Sequence, residues 1–375
     1  MDETLTIEES RKLLELCRDG KLYEVEEWIR QGKSIRVHPK SRDEPTRLVL
    51  RKGFHSLLEL LIRHTTSQEE LDGVLVQAVR KQRFDAVRML VEHGANPLKV
   101  AFVDVACAWD PGMMRYFLEK GTDVLADDAM AYALTSRVQT ALGFYMDCKA
   151  AHPAWADALQ RQLDMALAIH CREGNEGWVA KLIWAGGNPY AKGRDMECKK
   201  NADKPWTQIC GAEEAAHKGH LKVLELLDLD IDNPISQEIL ESACAGMHED
   251  TVRYLLKLGI NPNDKEDGGS RGLEAVLLRI DWGKQMQRFS PSFSDTASKC
   301  LSMARKLIRH KARWTPDAYV LRATRRAACE ASPEQMTELV GQLGRPGVCD
   351  PEILRKFVDN PKIQELLKKG TVWHR

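Results

Sequence analysis

No apolar run in this 375-residue sequence approaches the roughly 20 residues that a helix needs to cross a bilayer, so no membrane span is expected. Neither sign of charge is in surplus: Lys plus Arg and Asp plus Glu both number 55. A balanced chain has no overall field to draw it to phosphate backbones or anionic membranes. The start, Met1 to Ser10, lacks the basic segment that opens a secretory signal and carries Asp2, Glu3, Glu8 and Glu9 instead, which points to a cytoplasmic protein. The ten cysteines include no C-x-x-C pair, which suits a reducing compartment better than a zinc site or a disulfide framework. Also missing are the G-x-G-x-x-G, P-loop, H-E-x-x-H and G-x-S-x-G signatures, so neither enzymatic activity nor a cofactor is expected.

What the chain does have is composition for a core, with 43% hydrophobic and 29% charged residues, and internal repetition. One segment recurs as Gly94-Ala95-Asn96-Pro97, Gly186-Gly187-Asn188-Pro189, Ile231-Asp232-Asn233-Pro234 and Gly259-Ile260-Asn261-Pro262. Glycine just past a helix closes its last turn in the left-handed conformation, and proline soon after blocks continuation, so each copy reads as a helix stop. Gly32 and Gly121 are further copies without the proline.

Counting back from the stops aligns three columns. Seven places upstream stand Val25, Leu58, Val87, Met114, Val179, Leu224, Val252 and Ala304. Four upstream stand Trp28, Leu61, Leu90, Phe117, Leu182, Leu227, Leu255 and Leu307. Three upstream stand Ile29, Ile62, Val91, Leu118, Ile183, Asp228, Leu256 and Ile308, and Asp228 alone is polar. Offsets of three and four share one helical face, so every copy offers the same apolar stripe. A shorter Ala-rich helix precedes each stripe, at Leu71 to Arg80, Phe102 to Ala108, Leu163 to Cys171 and Ile239 to Ala245. The unit is helix, tight turn, helix, loop. The stops Gly32, Gly94, Gly121 and Gly186 lie 62, 27 and 65 residues apart, or two, one and two copies of roughly 30 residues, with weaker copies stopping near Thr65 and Cys148. Cys17, Cys107, Cys171 and Cys244 each stand near the end of a first helix and read as small core residues.

These residues resemble the ankyrin repeat family, whose period is about 33 residues. The nearest stretch is Ala215-Ala216-His217-Lys218-Gly219-His220-Leu221-Lys222-Val223-Leu224-Glu225-Leu226-Leu227, similar to that family's inter-helix turn and second helix. The resemblance covers residues 13 to 34, 71 to 125, 160 to 190 and 206 to 263; it is faint at 126 to 159 and beyond 273, and the T-P-L-H opening is absent. It implies an all-α solenoid of about nine or ten helix pairs. Residues 1 to 263 would form repeats, weak at 126 to 159. Residues 264 to 375 would hold divergent repeats, an insertion at 264 to 299 and a helical C-terminal cap. It also implies a non-enzymatic protein-protein interaction scaffold, an adaptor or inhibitor that meets its partner with loop tips and concave helices.

Two interruptions, 188 to 206 and 261 to 299, are long for such connections. Loops on a rigid scaffold often carry binding residues, which makes Tyr190, Arg194, Trp206, Trp282, Phe289 and Phe293 the partner-contact candidates. The competing reading is that both are tolerated insertions. His217 and His220 have ligand-like spacing but fall in an inter-helix turn, where histidine caps and hydrogen-bonds. Asp228, Asp230 and Asp232 imitate a calcium loop, yet Asn233 and Ile239 stand where that loop needs glycine and glutamate, so no metal is expected. The run Gly268-Gly269-Ser270-Arg271-Gly272 has no strand before it to make it a phosphate loop, and it reads as a flexible connection. Arg322, Arg325 and Arg326 share a helix face; with Lys368, Lys369, His374, Arg375 and a stacking Trp373 they would form a polyanion patch. That is the basis of a rival reading, a defence or effector component touching nucleic acid.

Overall fold

A computed structural model describes residues 4–196, 208–263, 268–280, 296–329 and 331–371. Trp206, Trp282, Phe289, Phe293, Trp373, His374 and Arg375 lie outside the described residues. The chain divides into two compact units, residues 1–163 and 164–375. Each is an all-α, ankyrin-like stack of helix pairs in which first helices pack on first helices and second on second. Among the described residues there are 22 α-helices and one pair of three-residue strands, and no helix is long and apolar enough to cross a membrane.

The first unit holds five pairs: Ile7–Arg18 with Leu22–Arg30, Pro45–Lys52 with His55–Arg63, Gln68–Arg80 with Phe84–Glu92, Phe102–Ala106 with Pro111–Glu119, and Ala129–Thr135 with Gln139–Ala151. In the second unit, the first helix is the part of Ala156–Glu173 from residue 164 on. There it pairs with Glu176–Trp184, followed by Gly211–Lys218 with Leu221–Leu226, Ser236–Ala245 with Glu249–Leu258, and Arg271–Leu277 with Thr296–Arg309. Four closing helices follow, Ala318–Ala328, Pro333–Leu343, Pro351–Val358 and Pro361–Thr371.

Helix starts are set locally. Thr6 and Glu9 form a capping box, as do Ser332 and Gln335, so orphan N–H groups of the first turn find side-chain acceptors. Asp110 and Asp350 cap helices that open with proline, whose fixed φ suits the first turn and whose missing N–H costs nothing there. The stripes behave as the columns require: every residue of the first two is buried, with Val25, Val87, Met114, Leu90, Phe117, Leu182 and Leu255 fully enclosed. The third column sits at the margin of the core, with Ile62, Leu256 and Ile308 buried and Ile29, Val91, Leu118 and Ile183 half-buried.

The stops at Gly32, Gly94, Gly121, Gly186 and Gly259 all have positive φ. Their Asn-Pro loops repeat one hydrogen-bond pattern. The Asn96 N–H donates to Asp72 at 2.7 Å and the Asn188 N–H to Asp164 at 2.7 Å, while each asparagine side chain accepts from the backbone two residues on. A second set of left-handed residues marks the inter-helix turns: Gly20, Gly53, Gln82, Trp109, Arg137, Gly174, Gly219 and Met247. The residue that follows such a turn lies over the turn of the pair before. Phe54 covers Gly20, Arg83 covers Gly53, His220 covers Gly174 and His248 covers Gly219. His220 Nε2 also donates to the Arg172 carbonyl at 3.0 Å, which gives it the turn role expected from its position.

Four local expectations are corrected. The stop near Cys148 falls later, because Gln139–Ala151 continues through Cys148 to His152. The helix expected at Leu163 to Cys171 is twice that length, Ala156–Glu173. In the copy ending at Ile231, the second helix is only Leu221–Leu226, and Asp228 itself takes the left-handed conformation at φ 46°. The helix has already ended where the column expected an apolar residue, so an exposed aspartate is tolerated there. Of the four core cysteines, Cys17, Cys171 and Cys244 are buried, but Cys107 is half-buried.

Gly20→Ala and Gly32→Ala should separate backbone strain from crowding. Their φ values, 69° and 74°, are alike, yet an added Cβ meets the Phe54 ring at 2.9–3.1 Å on Gly20 and open space on Gly32. Gly20→Ala is expected to lose about 1–3 kcal/mol more than Gly32→Ala in urea unfolding, as overpacking does. Equal losses would show that the ring simply moves aside.

Candidate partner-binding surface

Residues 188–196 and 208–210 depart from the helix-pair pattern in the second unit. The strand Lys192–Arg194 pairs antiparallel with Gln208–Cys210, with Lys192 opposite Cys210, Gly193 opposite Ile209 and Arg194 opposite Gln208. Gly193 lies so close to the Ala156–Glu173 helix that a Cβ there would stand 2.9 Å from Met165 Cγ. Ile209 is buried with Ala168 and Ile169 on the same helix. The Cys210 thiol donates to the Pro189 carbonyl at 3.1 Å, and the Ala212 N–H donates to the same carbonyl at 3.0 Å.

The strongest tie is ionic. Arg172 grips Asp195 with two guanidinium nitrogens at 3.1 and 2.8 Å and donates a third hydrogen bond to Glu214 at 2.8 Å. Asp195 is 3% exposed. Guanidinium is suited to this because its planar fork meets a carboxylate with two parallel bonds and keeps its charge on burial. Lys192 continues the ladder, 2.6 Å from Glu238 and 3.6 Å from Glu213. The Lys192 hydrogen bond holds the Glu238 carboxyl below the usual carboxylate range, whereas burial pushes the Glu213 carboxyl up. Successive first helices, carrying Arg172, Glu213 with Glu214, and Glu238, are thus stitched together by alternating charge.

Of the partner-contact candidates from the sequence, two fall among the described residues. Tyr190 is half-buried, and its hydroxyl accepts from the Asp230 N–H at 2.6 Å. Burial pushes its pKa up. Arg194 is half-buried at the hairpin edge. Sequence reasoning missed Arg172, Asp195 and Glu214, which are 23 and 42 residues apart along the chain and meet only because the hairpin folds back.

The C-terminal arginines divide. Arg322 and Arg326 are exposed, while Arg325 is half-buried and donates to the Asp359 carbonyl. Lys369 pairs with Glu365 at 2.6 Å. Among the described residues no group of three His, Cys, Asp or Glu is arranged to hold a metal ion. Burial raises the Cys17 thiol to about 12 and the Cys148 and Cys210 thiols to about 11, which keeps them protonated at neutral pH. An open groove of about 720 Å³ in the first unit has two carboxylates in its lining, Glu9 and Glu70, and both are already engaged. Glu9 belongs to the Thr6 capping box, and Glu70 accepts from Thr46 at 2.7 Å.

No protein-family model matches the sequence, and no curated protein matches it. Among solved structures the chain is similar to the ankyrin repeat domain of human ASB11, at 16% identity over 68% of this chain and 96% of that one, with a TM-score of 0.25. The fold rests on the helix pairs and their turns.

Asp195→Asn should remove the fixed charge while keeping the shape. It is expected to cost about 3 kcal/mol, the low end for breaking a buried pair, since Glu214 still holds Arg172. Amide hydrogen exchange at 192–194 and 208–210 should quicken; unchanged exchange would show that Ile209 packing alone anchors the hairpin. The two carboxylates on Lys192 should respond oppositely. Glu238 has a lowered folded pKa, so its stabilisation is present above the ordinary carboxylate range and is lost as pH falls through the folded pKa. Glu213 has a raised folded pKa, so its contribution is favourable below the ordinary carboxylate range and is lost as pH rises through the folded one. At pH 7 Glu238→Gln should therefore lower the melting temperature and Glu213→Gln should hold or raise it.

Proposed function

We propose that this chain is a non-enzymatic protein-binding scaffold of the cytoplasm, an adaptor or inhibitor that meets its partner with the first-helix side of the stack and the loop tips. The observation that supports it most is the hairpin's attachment. The described ends of the long connection, with the paired strands Lys192–Arg194 and Gln208–Cys210, are held by the Arg172 fork, by Ile209 burial and by the bond from the Asp230 N–H to the Tyr190 hydroxyl. A surface ordered in advance loses little conformational entropy when a partner docks. The stacked core does the same for the helices beneath it, since every residue in the two inner columns is buried. Within this reading residues 264–375 close the array and Trp206, Trp282, Phe289 and Phe293 supply aromatic contacts.

The test is affinity capture from native lysate followed by mass spectrometry, with the intact chain beside the Trp206→Ala, Trp282→Ala, Phe289→Ala variant. The expected result is a protein held by the intact chain at physiological salt and lost from the variant. A partner retained by the variant would move the contact to the first helices. Recovery of nucleic acid alone, with binding that collapses as salt rises, would replace the scaffold reading with the polyanion one.

A further inference from the structure

The second helices of the second unit carry a feature that the stack does not use. Glu176–Trp184, Leu221–Leu226 and Glu249–Leu258 lie side by side. Each ends in an exposed apolar side chain just before its left-handed stop: Trp184 two residues before Gly186, Leu226 two before Asp228, and Leu258 one before Gly259. Ile231 joins them, because its Cδ1 lies 3.8 Å from the place where a Gly259 Cβ would stand. Trp184 is 75% exposed, Ile231 44%, Leu226 42% and Leu258 37%. Three neighbouring second helices thus each leave an apolar side chain uncovered at the C-terminal end, although the three do not fall at one register position. Single exposed hydrophobics scattered over a surface are ordinary, but a strip of them on adjacent helices is not.

The rim of this strip is acidic. Glu225, Asp228, Asp230 and Asp232 are all exposed, and among the described residues none of them makes an ion pair. Nearby cations are engaged elsewhere: Lys222 faces Glu176 at 3.9 Å, and Arg253 pairs with Asp250. Lys257 adds one positive charge at the far end. Burial pushes the Tyr254 hydroxyl pKa up, and the nearby Glu225 and Asp228 carboxylates add to that rise. Three helices at the usual spacing of about 8–10 Å span about 20 Å, the length of roughly four helical turns.

We infer that this strip docks a basic amphipathic helix of a partner protein, its apolar face on Trp184, Leu226, Ile231 and Leu258 and its Lys or Arg residues against the acidic rim. The inference rests on the scaffold reading and names the chemistry of one partner. Apolar anchors read at i, i+3, i+4 and i+7 supply affinity in this mode, and complementary charge supplies orientation and a fast on-rate. The same acids would repel an anionic lipid surface, which sets the strip apart from a membrane contact.

The test uses fluorescence anisotropy on the full chain with labelled peptides of about 15 residues, long enough for four turns. One carries Leu at helical spacing on a Lys background, one replaces the Leu with Ser, and one replaces the Lys with Glu. The Lys/Leu peptide should bind, and the other two should bind more weakly by about tenfold or more. Glu225→Gln, Asp228→Asn, Asp230→Asn and Asp232→Asn together should weaken the Lys/Leu peptide about tenfold, and Trp184→Ala with Leu258→Ala about fivefold, with the circular dichroism spectrum unchanged because all six residues are exposed. Binding of the quadruple variant within twofold of the parent, equal binding of the Lys/Ser peptide, or no binding of the Lys/Leu peptide would each overturn the inference. Self-association abolished by the quadruple variant would assign the strip to a second copy instead. Lysate capture separates the two readings: a partner held equally by parent and quadruple variant removes this surface and leaves the scaffold, whereas a parent that captures nothing removes the scaffold.

Discussion

A helix pair of this chain cannot cover its own apolar stripe. Val87 and Leu90, or Met114 and Phe117, reach full burial only because the pairs before and after close over them, as in any array whose units bury surface against neighbours alone. Nearly everything else follows from keeping those neighbours in register. The Asn96 and Asn188 loops bond back to Asp72 and Asp164 on the preceding first helix. Phe54, Arg83, His220 and His248 lie across the turn one pair earlier. The loop bonds fasten each outgoing loop to the first helix of its own pair and the turn contacts tie that pair to its neighbour, so stability grows along the stack instead of around one centre.

The same dependence explains how the turns tolerate poor residues. Gln82, Trp109, Arg137 and Met247 hold positive φ without being glycine, at a strain of about 1–3 kcal/mol each when the surroundings fix the conformation. An isolated helical hairpin would relax such a turn. Here the flanking helices are pinned by burial on both sides, and the turn takes the only geometry that joins them.

That asymmetry sets what the sequence could reveal. Helix stops were legible wherever glycine and Asn-Pro mark them, and the apolar columns at offsets of three and four gave the buried faces correctly. The inter-helix turns at Gln82, Trp109, Arg137 and Met247 were not legible, since packing overrides propensity there and leaves no residue signature. The hairpin was visible only as an unusually long connection. Its anchor, Arg172 with Asp195 and Glu214, depends on a fold-back that no helical periodicity encodes, and none of the three has a neighbour in sequence that would flag it. Tyr190 was chosen as an aromatic contact; its position was informative, but its hydroxyl is used to hold the Asp230 amide.

Asp228 shows where a broken rule carries meaning. Every other copy keeps an apolar residue at that column, and in this one the helix ends a turn early and the aspartate takes a left-handed turn of its own. The cost is a lost turn of helix and a strained residue. In exchange the chain gains a loop that sets Leu226 and Ile231 at the surface beside four carboxylates. Selection for stability alone would favour an apolar side chain with the helix continued beneath it. Local departures of this kind concentrate where something other than stability constrains the sequence. The departure also falls between Trp184 and Leu258, the exposed apolar ends of the helices on either side.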